Sequence, residues 1–301
     1  MEWRIPGVAA ARERLGSSLF ERVAGPAGAA NRSRIHGTPG PRWFAEDRPI
    51  RTVHGDASMF IGGLSALLLQ SLHPLAMSAV AAHSGYKGDP WGRLQRTSTF
   101  LAMTTYGAAD DAQRAVDHVR GVHQRVKGRT VAGAEYHAAD PHLLAWVHVA
   151  EVDSFWRAHQ RYGAKPLTPE EYDGYVADTA RVGSALGVLD PPRDRRELAE
   201  RIAAYRPELR ATPEARDAAR FLLLRPPLPR AARLPYAIIA ANAIALLPPW
   251  AREPLGLPHL PLLEKTGVRW AGSGLTSTIR WAMSHRPPAA APPAGMPDHG
   301  R

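Results

Sequence analysis

Apolar residues recur along most of this chain at the three-to-four-residue spacing of one helix face. Alternating apolar and polar runs joined by paired turns, the mark of strands, are missing. The pattern therefore predicts an all-α protein, with residues 129–140 as a loop. The predicted helices cover residues 9–23, 57–73, 91–106, 111–127, 141–162, 169–186, 195–205, 213–224, 230–247 and 262–285.

Several predicted helices begin at a capping residue followed by proline, which suits the first helical position. The pairs are Asp89-Pro90, Asp140-Pro141 and Thr168-Pro169. The helix after Asp56 is apolar on nearly all sides, which predicts a central place in the core. Asp56 should cap its start, and Pro74 should stop or kink it and leave His73 near its end.

One large domain is expected to account for most of the 301 residues. Residues 1–50 are rich in Gly, Pro and Arg, which predicts an irregular arm with one short helix. Residues 51–285 form the predicted all-helical domain, a single multi-helix bundle. The Pro/Ala-rich residues 286–301 predict a disordered tail.

Composition narrows the classes of protein and of site. Hydrophobic residues make up 45% of the chain, too many for a disordered protein. The absence of cysteine excludes disulfides, thiolate metal sites and cysteine nucleophiles. The net charge of +10 comes from arginines scattered along the chain, without the run of like charges that marks a nucleic-acid tail. We therefore expect no nucleic-acid partner, while an anionic cofactor or acidic lipid remains open.

The start of the chain lacks the charged-then-apolar layout of a signal peptide. The most apolar later stretch, Leu234 to Leu247, is shorter than the roughly 20 residues that a membrane-spanning helix needs. These features predict a cytoplasmic protein without a transmembrane helix. Peripheral membrane contact through that stretch remains open, and the oligomeric state is not predicted.

Thirteen histidines invite a metal site. The histidine pairs of zinc hydrolases and the Glu-x-x-His pairs of di-iron bundles are absent. Serine-nucleophile elbows, Walker loops and dinucleotide-binding glycine motifs are absent too. Haem is not excluded, since it needs one helical imidazole, an apolar slot and cations for its propionates.

Two polar rows have helical spacing. Arg93, Arg96 and Thr97 form the first, and Arg120, His123 and Lys127 form the second. Spacing alone leaves two interpretations of His123 open, a haem ligand or a capping residue at the edge of the core.

Four motifs in order carry a family resemblance. They are G-D-x-x-x-x-x-G with LLLQ-x-LHP, HS-x-Y-x-x-DPWGRL-x-RT, R-x-x-H-x-x-V-x-G and Y-x-A-x-DP-x-LL-x-WVH, with a looser echo in LLPPWAR-x-PLGLP. Between Gly55 and Gly163 the chain resembles the MpaB-type oxygenases, which include the latex-clearing rubber oxygenases. The resemblance implies an all-helical fold around haem b and an oxygenase that uses dioxygen.

The resemblance also implies roles for single residues. His123, in the R-x-x-H motif, would be the proximal iron ligand. Arg93, Arg120 and Lys127 would neutralise propionates or shape the pocket. Arg96 and Thr97 would face the dioxygen, although the rubber oxygenases have lysine at the position of Arg96, and arginine is not an iron ligand.

A second departure is that the region matching the family's catalytic glutamate has no carboxylate. His73 or His83 would fill a distal acid–base role or be a structural histidine. His148 would either hydrogen-bond within the pocket or form a helix–helix contact. The lining expected from Met59, Phe60, Leu64 and Leu68 is apolar, so the expected substrate is small and apolar, such as an alkene or prenyl chain.

Two other functions remain open. The two departures favour a non-catalytic haem-binding protein that serves as sensor, carrier or electron-transfer partner. A basic helical protein without a cofactor, which binds acidic lipid or nucleic acid, is the third hypothesis. The leading hypothesis is a haem-b-dependent oxygenase that acts with dioxygen on a small apolar substrate.

Overall fold

A computed structural model of the protein describes residues 6–85 and 87–284. Helices dominate this part of the chain, which confirms the predicted all-α class. They are α1 (Pro6–Ala24), α2 (Gly28–Gly37), α3 (Pro49–His54), α4 (Met59–Gln70), α5 (Pro74–His83), α6 (Pro90–Tyr106), α7 (Ala109–Arg125), α8 (Pro141–Tyr162), α9 (Pro169–Leu186), α10 (Arg195–Tyr205), α11 (Pro213–Leu224), α12 (Arg230–Leu246), α13 (Pro249–Leu255), α14 (Pro261–Leu263) and α15 (Arg269–Met283). A 3₁₀ turn (Arg206–Glu208) follows α10, and a π-helical turn (Glu264–Val268) joins α14 to α15.

An antiparallel hairpin, formed by β1 (Lys127–Arg129) and β2 (Glu135–His137), begins at the end of the predicted helix and extends into the segment predicted as a loop. Helix α7 ends at Arg125, because Val126 turns into an extended conformation. Gly128 then pairs with Tyr136. Lys127 therefore lies in a strand, and its predicted place on the helix of His123 is wrong.

The N-terminal segment is more regular than predicted. The expected helix is present as α1, and α2 and the start of α3 also fall within residues 1–50. Helix α1 packs on α6 and α15. Arg12 fixes that contact, since its Nε donates to the carbonyl oxygen of Trp281 at 2.8 Å. The predicted disordered tail, residues 286–301, lies outside the described residues.

The core is built on the packing of α4 against α8. Helix α4 ends at Gln70, and α5 begins at Pro74 after a bend of 109°, as the proline predicted. Asp56 lies before the first turn and accepts a hydrogen bond from the backbone N–H of Ser58 at 2.7 Å. Its carboxylate also pairs with Arg280 of α15, which ties both ends of the domain together.

No single described helix is both long and apolar enough to cross a membrane. Two bent pairs, α4 with α5 and α12 with α13, reach the required length and composition only when counted together. The apolar stretch of α12 is divided between core and surface. Ala240, Asn242 and Ala243 are buried, whereas Leu234 is 72% exposed.

Candidate active site between α6, α7, α8 and α9

The two polar rows lie at the same end of a helical hairpin. Helices α6 and α7 pack together and are joined by a short turn at Gly107. Because the two helices run in opposite directions, the first half of α6 lies beside the last half of α7. The structure therefore brings the row of Arg93 and Arg96 to the same end as the row of Arg120 and His123.

His123 is partly buried near the end of α7. Its Nδ1 is enclosed and makes no hydrogen bond within the described chain. Its Nε2 is not enclosed, and no described residue bonds to it. Burial lowers the pKa of His123, which favours the neutral imidazole. A neutral ring with one accessible nitrogen suits metal coordination.

The side chains of Arg120 and His148 both contact the last turn of α9. The Nη1 of Arg120 donates to the carbonyl oxygen of Ala185 at 3.3 Å. The ring of His148 lies so close to Gly183 that a Cβ there would come within 3.0 Å of it. His148 therefore packs closely on α9 without a hydrogen bond from its Nε2, and its role within a pocket or in a polar contact between helices stays a prediction. Its Nε2 is enclosed without a partner, and burial lowers its pKa to about 4.

One face of α8 carries a row of partly accessible side chains that includes His148. Leu144, Val147, His148 and Glu151 are partly accessible, although most neighbouring positions of the helix are buried. The row follows helical spacing and faces one side. Burial nevertheless raises the pKa of Glu151 to about 7. The Glu151 carboxyl is thus largely surrounded by protein yet still reaches solvent, and we call this partly accessible row of α8 the cleft.

A hydrogen-bonded track that links three other helices lies near Glu151. The Glu151 carboxyl helps to raise the pKa of the Tyr175 hydroxyl, after the larger effect of burial. That hydroxyl lies 3.3 Å from Nε2 of His54, and Nδ1 of His54 lies 2.8 Å from Oγ1 of Thr105. Burial lowers the pKa of His54 to about 3.

Sequence reasoning missed Glu151, His54 and Tyr175. The available signal was a single acidic residue, Glu151, on the apolar helix LLAWVHVAEV, one turn after His148. His54 and Tyr175 gave no such signal, since they lie 121 residues apart and meet only through the fold.

The first polar row, formed by Arg93, Arg96 and Thr97, lies at or near the surface. The exposed Arg96 forms an ion pair at 3.2 Å with Asp89, the N-cap of its own helix. Arg93 donates from Nη1 to Oγ of Ser84 at 3.1 Å. Thr97 is exposed. These contacts place the row at the rim of the α6–α7 hairpin.

The hairpin β1–β2 covers the same end of the fold. Lys127 is exposed on β1, and His83 at the end of α5 lies 3.2 Å from the hydroxyl of Tyr136 on β2. Of the residues expected to form an apolar lining, Leu64 and Leu68 are buried in helix packing. Met59 and Phe60 remain partly accessible.

His73 is separated from the two polar rows. It lies beside His142 and Glu208, and its ring is 6.4 Å from that of Trp146. His142 and Trp146 face the side of α8 opposite to His148 and Glu151, because helix positions repeat about every 3.6 residues. The structure therefore does not bring His73 together with Arg96 and Thr97.

The comparisons with known proteins agree with this architecture. A family model described as "ER-bound oxygenase mpaB/B'/Rubber oxygenase, catalytic domain" matches residues 51–281. The uncharacterized proteins Mb2261 of Mycobacterium bovis and Rv2237 of Mycobacterium tuberculosis are each 31% identical over 121 residues.

That match covers 39% of this chain and 46% of each relative, so the chain spans about half the length of the curated relatives it matches. No solved structure matches the chain. The family model, in contrast, covers most of the helical core. The chain therefore belongs to the family of mpaB and rubber oxygenase catalytic domains.

Proposed function

We propose that the protein is a haem-b-dependent oxygenase that acts with dioxygen on a small apolar substrate, such as an alkene or prenyl chain. The observation that carries the proposal is the partly buried imidazole of His123, whose Nδ1 is enclosed without a partner and whose Nε2 is accessible. The proposal is also supported by the family, whose members include oxygenase catalytic domains.

The residues at the site fit a haem. His123 would hold the iron through Nε2. Arg120 uses one N–H on Ala185 and keeps other donors for a propionate, and the exposed Lys127 offers a second cation. Bound haem would supply the one-electron and dioxygen chemistry that the side chains lack.

The chain itself would bind the substrate and control protons. Leu144 and Val147 supply partly buried apolar surface on the row of α8 that carries His148 and Glu151. This surface excludes water from an apolar chain. Glu151 would hold or release a proton at its carboxyl near neutral pH. A group whose pKa is near the working pH can both donate and accept a proton.

A visible spectrum tests the haem assignment. Protein purified from haem-supplemented cells should show a Soret band, and His123→Ala should lose it. His118→Ala is the matched control, since His118 is exposed on the same helix, and it should keep the band. A colourless wild-type protein, or an unchanged band in His123→Ala, would refute the assignment. Oxygen uptake with unsaturated compounds, against their saturated analogues, then tests turnover.

A non-catalytic haem-binding protein is the second candidate. The ion pair of Arg96 with Asp89 favours this second function, because it holds the Arg96 side chain at the exposed rim and outside the cleft. This function predicts the same Soret band and its loss in His123→Ala. It predicts no oxygen uptake with any substrate of the panel.

A further inference from the structure

Three side chains from distant parts of the chain converge on the side of α8 opposite the cleft. His73 precedes α5, His142 lies in the first turn of α8, and Glu208 ends the 3₁₀ turn after α10. One carboxylate oxygen of Glu208 lies 2.8 Å from Nε2 of His142 and 3.5 Å from Nε2 of His73. One donor atom from each residue lies within 4.8 Å of the other two.

His73 is the unsatisfied member of this group. The residue is only 2% exposed, and neither ring nitrogen makes a hydrogen bond within the described chain. The 3.5 Å approach to Glu208 is an ion-pair distance without hydrogen-bond geometry. A buried imidazole without hydrogen-bond partners is costly, and a bound ion at this point would satisfy the ring.

We propose that His73, His142 and Glu208 bind a divalent transition-metal ion of the Zn²⁺ or Fe²⁺ class. Two imidazoles and one carboxylate are the donor set of catalytic zinc sites and of non-haem iron sites. Metal–ligand bonds of about 2.1 Å put tetrahedral donor atoms roughly 3.4 Å apart. The observed donor spacing therefore needs only small side-chain movements.

The surroundings favour a site whose metal ion can exchange with the solvent. The side chains of His142 and Glu208 are 51% and 45% exposed, so an ion can enter from outside and keep open coordination positions. The hydroxyl of Tyr205 lies 3.4 Å from Nδ1 of His142 and donates to its carbonyl oxygen at 2.8 Å, so it holds both the ring and the backbone of that ligand in place. Arg210, a nearby cation that acts on His73, opposes ion binding and limits the affinity.

The test uses tag-free protein stripped of metal, without added haem. Calorimetric titration with Zn²⁺, and anaerobically with Fe²⁺, should give one ion per chain and show which metal is preferred. His142→Ala and Glu208→Gln should abolish this binding. Tyr205→Phe should weaken it by roughly 10–100-fold, the effect of a supporting residue. The buried His73 is left unchanged, because its substitution could prevent folding.

The controls separate this site from surface binding and from the proposed haem site. His118→Ala, Glu200→Gln and His123→Ala should bind Zn²⁺ like the wild type. In the unaltered protein, Zn²⁺ should also protect His142 from carbethoxylation and raise the melting temperature. The proposal fails if no stoichiometric binding occurs, if His142→Ala and Glu208→Gln bind normally, or if His118→Ala loses binding as well.

Discussion

At the scale of single residues, Glu151 and His148 lie one turn apart on α8, and the pKa of each is shifted so that its neutral form is favoured. Burial raises the pKa of Glu151 to about 7 and lowers that of His148 to about 4. Both shifts have the same cause, since burial in protein disfavours the charged form of either group. At pH 6 the carboxyl is mostly protonated and the imidazole is neutral, so the cleft holds a proton donor without a net charge.

Glu151→Gln should change how stability depends on pH. The folded protein holds the Glu151 proton up to about pH 7, whereas the unfolded chain releases it near its ordinary pKa of 4.5. The stability contributed by this group is thus full at low pH and is lost as pH rises to about 7 and above. Relative to Glu151→Gln, the wild type should lose about 2 kcal/mol of unfolding free energy between about pH 5 and about pH 8.

Urea unfolding at several pH values measures this difference. His54 and His148 act in the opposite direction, because their lowered pKa values destabilise the folded state in acid, but they are present in both proteins and cancel. Glu200→Gln, on the exposed face of α10, serves as control and should run parallel to the wild type. A parallel pH profile for Glu151→Gln would contradict the buried carboxyl.

At the scale of elements, α8 separates two chemically different regions. One side carries Leu144, His148 and Glu151 toward the proposed oxygenase cleft, and the other carries His142 toward the proposed metal site. The helix is held in place by its close packing on α4. Gly62 makes this approach possible, since a Cβ there would lie 2.9 Å from Cδ1 of Phe155.

Gly62→Ala should therefore separate α4 from α8 and destabilise the fold by about 1–3 kcal/mol, the usual cost of overpacking. Gly63→Ala is the matched control on the next residue, where an added Cβ would meet Phe155 at an ordinary 3.9 Å. It should be neutral or stabilise by up to about 1 kcal/mol through higher helix propensity. Denaturant unfolding compares the two, and equal stabilities would contradict the close approach.

At the scale of the whole molecule, the N-terminal helices are part of the packed structure. Arg34 of α2 and Arg114 of α7 both bind the carboxylate of Asp111, whose side chain is 1% exposed. These contacts, led by Arg34, lower the pKa of Asp111 to about 2. The N-terminal segment is thereby tied to the helix that carries His123.

Asp111→Asn should loosen this connection. Asparagine keeps an acceptor oxygen but leaves the two arginines without their negative partner, which should cost about 1–3 kcal/mol at neutral pH. Trypsin should then cleave within α2, after Arg32 or Arg34, faster than in the wild type. Asp117→Asn, on an exposed turn of the same helix, should leave both stability and cleavage unchanged. Equal cleavage of the two variants would show that α2 is held by other contacts.

Local sequence patterns were enough to predict the long helices of the core and the family resemblance. Asp89 and Asp140 cap α6 and α8 as predicted, because capping depends on residues only two or three positions away. The same holds for the break at Pro74. Local information was insufficient at Lys127, where the chain leaves α7 and pairs with a strand that has only weak alternation.

Only the tertiary structure decided the chemistry of the two proposed sites. The raised pKa of Glu151 depends on burial, which arises from the packing of several helices around α8. His142 and Glu208 lie 66 residues apart, and no spacing rule joins them to His73. Helix caps and periodicity act over a few residues, whereas desolvation and convergent ligands exist only after distant elements have packed together.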